Sequence, residues 1–178
     1  MATHAASYRV LYRDIDSMGV LYYGRYLAMF EMGRVEWMRA EGCRYRDLEQ
    51  EHGILLPVTE ARCRYRAPIQ YDDLLLVRTQ VARWSASRIA FSHRIVVPEG
   101  DSEEILARSP ASGASGSLSS LPDGLWDGSM SRICAEGEVE LGCVRAGDMR
   151  PTRLPKPFFS LLEQVVPTAK QSGRAAQD

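Results

Sequence analysis

The stretch richest in chemistry runs Tyr12-Arg13-Asp14-Ile15-Asp16-Ser17-Met18-Gly19-Val20-Leu21-Tyr22-Tyr23-Gly24-Arg25-Tyr26. Two carboxylates, Asp14 and Asp16, stand two residues apart in a turn-rich segment just ahead of a helical pattern. A helix N-terminus carries free N–H groups and partial positive charge. A carbonyl oxygen held there is polarised, as in an oxyanion hole. A carboxylate on the opposite side can attack the carbonyl carbon or take a proton from water. Acyl transfer needs this pair of parts. Spacing alone also fits a plainer role, because Asp-x-Asp ahead of a helix is commonly turn and capping chemistry.

Other chemistries find fewer parts. Cys43, Cys63, Cys134 and Cys143 form no CxxC, and His4, His52 and His93 have no metal-ligand spacing, so no metal site is expected. There is no G-x-S-x-G elbow for a serine hydrolase. His93 falls on the apolar side of a strand and is expected in a core or an interface. Cys63 and Cys143 read as small buried hydrophobes.

The elements that must position the carboxylates follow from periodicity. Tyr8, Val10 and Tyr12 alternate with Arg9, Leu11 and Arg13, which predicts a strand over Tyr8 to Asp14. From Gly24 to about Glu41 the period is helical, with Tyr26, Leu27, Phe30, Gly33, Trp37 and Met38 on one face and Arg25, Glu36 and Arg39 away from it. A short helix over Tyr45 to Glu51 ends at Gly53. Four further strands are expected: Thr59 to Tyr65, Leu74 to Trp84, Ile89 to Val97 after a Ser85-Ala86-Ser87 turn, and Ile133 to Cys143. In the last, Ile133, Ala135, Gly137, Val139, Leu141 and Cys143 should share one face, opposite Glu136, Glu138 and Glu140. Ser109 to Ser131 is rich in Ser, Gly and Pro and is expected to be a flexible insertion (109–131) in a hairpin. Leu125 and Trp126 interrupt that composition; an exposed loop is the expectation there, with docking as the alternative. The result is one α+β domain over 1–166, a five-stranded antiparallel sheet covered by one long helix, with a disordered tail at 167–178.

Composition sets outer bounds. The chain has 178 residues, 45% apolar and 25% charged, which suits one domain with a full core. Its net charge of −1 gives no global field for nucleic acid. All of its 22 basic residues except Lys156 and Lys170 are Arg. The Arg fork suits phosphate, though genome composition produces the same bias. No apolar run reaches the roughly 18 residues that span a bilayer. The segment Met1 to Tyr8 has no apolar core of a secretory signal, so a cytoplasmic protein with reduced thiols is expected.

The segment from Asp14 to Tyr26 resembles the signature of the 4-hydroxybenzoyl-CoA thioesterase family, which includes the Tol-Pal-associated acyl-CoA thioesterase type. Phe30-Glu31-Met32-Gly33-Arg34 is similar to the family's helix turn. Tyr65-Arg66-Ala67-Pro68-Ile69-Gln70-Tyr71-Asp72-Asp73-Leu74 is similar to the lead-in to its third strand, and Ala135 to Val139 to its final one. The resemblance runs from about Tyr8 to Pro155, apart from the insertion.

That resemblance implies a hot-dog fold and a homo-oligomer, paired into dimers and often into a homotetramer. It implies hydrolysis of an acyl- or aroyl-CoA to acid and CoA, with no cofactor beyond the CoA of the substrate. It makes Asp16 the catalytic carboxylate, as nucleophile or as base on water, and the Tyr23 N–H, supported by Gly24, the oxyanion donor. Asp14 is then structural. Related hot-dog thioesterases of another lineage take the carboxylate from the long helix, where Glu31 stands; a structural Glu31–Arg34 pair is the preferred reading here. Tyr22 and Tyr26 are candidate substrate contacts, with Met29, Phe30 and Trp37 as acyl-pocket wall or plain core. Arg83 and Arg88 are candidates for the CoA phosphates. Rival readings are an acyl-carrier-protein thioesterase, a hydratase of the same fold, and a non-catalytic acyl-CoA-binding module.

Overall fold

In the computed structural model, residues 3–100, 116–117, 121 and 124–166 are described. The chain forms β1 (Thr3–Arg9), a 3-10 turn (Tyr12–Asp14), α1 (Arg25–Ala40), α2 (Tyr45–His52), β2 (Ile54–Leu55), β3 (Val58–Tyr65), β4 (Leu74–Trp84) and β5 (Arg88–Pro98). It continues with β6 (Gly116–Ser117), α3 (Gly124–Asp127), β7 (Ser131–Gly142), β8 (Val144–Arg145) and α4 (Lys156–Val165). One antiparallel sheet has the order β3-β7-β5-β4-β1-β6. Its five long strands are the expected sheet; β6 adds two residues at one edge. Among the described residues no helix is long and apolar enough to cross a membrane.

The core lies between α1 and one face of the sheet. Phe30, Trp37 and Met38 are fully buried there with Leu75, Phe91, Ile95 and Leu141. The helix comes close because two glycines make room. A Cβ at Gly33 would collide with Thr79, and one at Gly137 with the Phe30 ring. The helix face differs from the expected one at two positions: Leu27 is 41% exposed, and Glu36 is buried. The buried Glu36 is paired with Arg39, three residues on along the helix.

Three boundaries depart from expectation. The first strand is Thr3–Arg9, not Tyr8 to Asp14. Asp14 accepts a hydrogen bond from Leu11 N–H (3.0 Å), and this local bond closes a turn where alternation suggested a strand. In β7, Ile95 pairs with Ala135 but Val96 pairs with Ile133, so Cys134 is an extra residue. The bulge turns Ile133 to the outer face, against the expectation that it shares a face with Ala135. The third departure is α4, a helix beyond the expected elements. Pro155 starts it, and Phe158 and Leu162, one turn apart, bury its apolar stripe.

The insertion is partly structured. Leu125 and Trp126 on α3 are buried against Leu76, Val96 and Ile133 on the outer face of the sheet. The expectation of an exposed loop therefore fails over 124–127: two large apolar side chains close a patch the bulge had opened. Of the expected insertion, β6, Leu121 and 124–131 are described; its other residues, and the expected tail at 167–178, lie outside the described residues.

Candidate active site

Asp14 and Asp16 have opposite surroundings. The Asp14 side chain is fully buried. It accepts from Tyr8 OH (2.6 Å) and from Leu11 N–H (3.0 Å), and pairs with the Arg25 guanidinium at 2.6 Å. Its backbone carbonyl takes the Tyr22 N–H (2.9 Å). One residue thus ties the end of β1 to the start of α1. Burial pushes its carboxyl pKa up, but the Tyr8 and Leu11 hydrogen bonds and the Arg25 charge outweigh that and hold it below the ordinary value.

Asp16 sits at the head of a small loop. Its N–H donates to Val20 O (2.9 Å) and its carbonyl accepts from Gly19 N–H (3.0 Å). The turn needs a residue at φ +78°, which Gly19 supplies. Asp16 Oδ1 accepts from Met18 N–H (2.8 Å), which fixes the carboxylate's orientation. The loop is anchored below by an Ile15–Leu21 bridge and by Leu21 N–H donating to Ile69 O (2.8 Å).

A cleft of about 310 Å³ opens beside it, walled by Asp16, Met18, Tyr23, Tyr26, Tyr65 and Pro68. Across it is the N-terminus of α1. There Arg25 N–H donates to Tyr22 O (2.8 Å), while no carbonyl of the described residues accepts from Tyr23 or Gly24 N–H. Gly24 is the N-cap, and a Cβ there would press on the Tyr22 ring at 2.9 Å. Asp16 and Tyr23 thus line one cleft at the start of α1; a carboxylate and an unengaged amide on one cleft are the parts that acyl transfer needs.

The other expected residues divide clearly. Tyr26 lines the cleft; burial pushes its phenol up to about 12, with the Cys134 and Cys63 thiols adding to the shift. Tyr22 is 43% exposed and outside the cleft lining, its ring tilted against that of Tyr23 with centroids 4.5 Å apart. Phe30 and Trp37 belong to the core, where they meet His93 and Phe91; Met29 is buried with them. Glu31 is exposed and 3.8 Å from Arg34. Arg83 and Arg88 are not brought to Asp16 within one chain. They flank the far end of β4, about 30 Å along the strand from Leu74 at roughly 3.3 Å per residue. There Arg83 pairs with Glu138 and Glu140, and Arg88 with Glu140 at 3.0 Å.

Residue-type reasoning missed Tyr65, whose hydroxyl donates to Tyr23 O (3.2 Å) and whose ring meets Tyr26 edge-on at 4.9 Å. Its signal was present: it ends β3 just before Pro68, where the strand must leave the sheet next to the Asp16 loop.

The chain belongs to the thioesterase-like superfamily, whose sequence profile matches residues 10–162. The acyl-CoA thioesterase YbgC of Haemophilus influenzae is 34% identical over 148 residues, which cover 83% of this chain and 85% of that one. The YneP protein of Bacillus subtilis is 29% identical over 92 residues, 52% of this chain and 66% of that one. The solved structure of 4-hydroxybenzoyl-CoA thioesterase from Pseudomonas sp. strain CBS-3 matches with a TM-score of 0.68 at 14% identity, covering 90% of this chain and 99% of that one. The fold is the hot-dog fold of that superfamily.

Proposed function

We propose that this protein hydrolyses acyl- or aroyl-CoA thioesters to free acid and CoA, with Asp16 as the catalytic carboxylate. The observation that carries this is the shared cleft: Asp16 and Tyr23 both line it, and at the adjoining α1 N-terminus the Tyr23 and Gly24 amides have no carbonyl acceptor among the described residues. The thioester carbonyl lies between Asp16 and those amides. Asp16 attacks its carbon, or takes a proton from the water that does. Either route puts negative charge on the carbonyl oxygen, and the Tyr23 N–H stabilises it with Gly24 in support. The carbon–sulfur bond then breaks, and CoA leaves as a thiolate that takes up a proton; where Asp16 has attacked, water then hydrolyses the acyl–Asp16 anhydride, which releases the acid and restores the carboxylate. Tyr22 and Tyr26 flank the acyl group.

We infer that the protein acts as a homo-oligomer, a dimer or tetramer, in the cytoplasm. β3 is a sheet edge with mostly exposed residues, and such an edge invites pairing. A second copy is also the simplest way to bring Arg83 and Arg88 to a CoA held at Asp16. Four free thiols, Cys43, Cys63, Cys134 and Cys143, suit a reducing compartment.

The test is thiol release from acetyl-, long-chain acyl-, phenylacetyl- and hydroxybenzoyl-CoA. Wild type should turn over at least one class, and Asp16→Asn should lose about 10²-fold or more of kcat with an unchanged melting temperature. Full activity of Asp16→Asn would remove Asp16 from the mechanism. An inert wild type would point to an acyl-carrier substrate or to binding alone.

A further inference from the structure

The Tyr65 hydroxyl reaches from the end of β3 to Tyr23 O, on the backbone at the start of α1. Resting on the hydrolase reading above, we propose that Tyr65 is a positioning residue. Its hydroxyl bond to the Tyr23 carbonyl locks Tyr23 in place and makes the Gly24 N–H a second, strengthened donor to the oxyanion.

The argument starts from the peptide plane. Tyr23 C=O and Gly24 N–H belong to one rigid unit, so fixing the oxygen fixes the direction of the N–H. The preceding plane, Tyr22 C=O with Tyr23 N–H, is already held because Tyr22 O accepts from Arg25 N–H at 2.8 Å. Tyr65 supplies the missing anchor for the next plane, from a different element, at 3.2 Å. A carbonyl that accepts a hydrogen bond also polarises its peptide group, and the N–H on the other end donates more strongly. Gly24 is suited to this use: its N–H has no carbonyl acceptor among the described residues, and it has no Cβ to crowd the Tyr22 ring.

Tyr65 itself is held in two ways that do not depend on its hydroxyl. Its backbone pairs with Ala135 in the β3–β7 ladder, and its ring meets Tyr26 edge-on. Tyr65→Phe therefore removes the hydroxyl's bond to Tyr23 O and its contact with the Cys63 thiol, and leaves the packing; Cys63→Ala, which removes the thiol contact alone, should keep wild-type kcat. The phenol pKa is raised by burial first, with the neighbouring Cys63 thiol adding to it, so the hydroxyl is protonated and able to donate at neutral pH.

The test compares wild type with Tyr65→Phe in three readouts: the steady-state constants, the melting temperature and the amide spectrum of ¹⁵N-labelled protein. Removing a direct oxyanion donor costs about 10²–10³ in kcat, so losing the group that aims one should cost about tenfold. KM should stay within about twofold. The Gly24 amide resonance should move, while amides of α4 should not. A ring-fluorinated tyrosine at position 65 gives the complementary result: near wild-type kcat while its phenol is protonated, and a falling kcat as pH rises through its lowered pKa. Wild-type kcat in Tyr65→Phe, or an unmoved Gly24 resonance, overturns the proposal. A parallel loss of kcat, KM and melting temperature overturns it too, because that marks a merely structural residue. If wild type hydrolyses no thioester while the Gly24 resonance moves as expected, the hydrolase reading fails, and with it the catalytic role of this bond.

Discussion

Two aspartates of the same type, two residues apart, have been given different work by their surroundings. Asp16 keeps one carboxylate oxygen on a backbone N–H and lines a cleft. Asp14 is closed in by Tyr8, Leu11 and Arg25. Asp14→Ala should cost about 3 kcal/mol of stability, since it strips a buried carboxylate from three partners. The figure sits at the low end because Arg25 is partly solvated and loses less than a buried cation would. The sign with pH follows from the depressed pKa of Asp14. Its contribution is present above the unfolded pKa and is lost as pH falls through the lower folded value. Urea denaturation at pH 7 and at pH 3.5 checks both points: the gap between wild type and Asp14→Ala should narrow at the lower pH.

At the scale of elements, α1 and the sheet are placed by small residues and by one bulge. Cys134 is the extra residue in β7, and its cost is an apolar Ile133 turned outward. Helix α3 covers that residue with Leu125 and Trp126. A four-residue helix has no stability of its own, because nucleation is unfavourable. It exists here through docking: Arg94 donates to Trp126 O and Ser131 Oγ to Leu125 O (2.6 Å). Arg78 lies 5.8 Å from the Trp126 ring centroid. Trp126→Ala should therefore release α3 while β4 and β5 stay formed. Hydrogen exchange should show lost protection over 124–131 with the central strands unchanged, and global stability should fall by about 3 kcal/mol or less.

The whole molecule carries a buried histidine at its centre. His93 stacks on Phe30 at 4.7 Å, and its Nδ1 lies 3.0 Å from the Thr79 hydroxyl. Burial, with the Arg34 charge adding to it, pushes its pKa down to about 3. The unfolded chain binds this proton near pH 6.5 and the folded protein does not. Stability is therefore full above about 6.5 and falls as pH drops toward about 3, by roughly 2 kcal/mol between pH 7 and pH 5. His93→Gln should be less stable at pH 7 and should lose less between pH 7 and pH 5, as read from denaturation midpoints. The expectation that His93 is a core residue agrees with this placement.

Much of the fold was legible because the strands alternate and the long helix has a clear period. Leu74 to Trp84 and the start of α2 fall where periodicity put them, since each buries one face against one partner. Periodicity failed where a local bond or a second partner intervened: at Asp14, where a side chain closed the backbone turn, and at Ile133, where a bulge switched faces. Leu125 and Trp126 looked like loop residues because their partners, Leu76 and Val96, are far away in sequence. The chemistry divides along the same line. Residue types and order marked the Asp14–Asp16 segment ahead of a helix start, and the family resemblance of that segment singled out Asp16, Tyr23 and Gly24 within it. Only the tertiary structure could add Tyr65, since a hydroxyl reaching a carbonyl 42 residues away depends on how β3 lies against the N-terminus of α1.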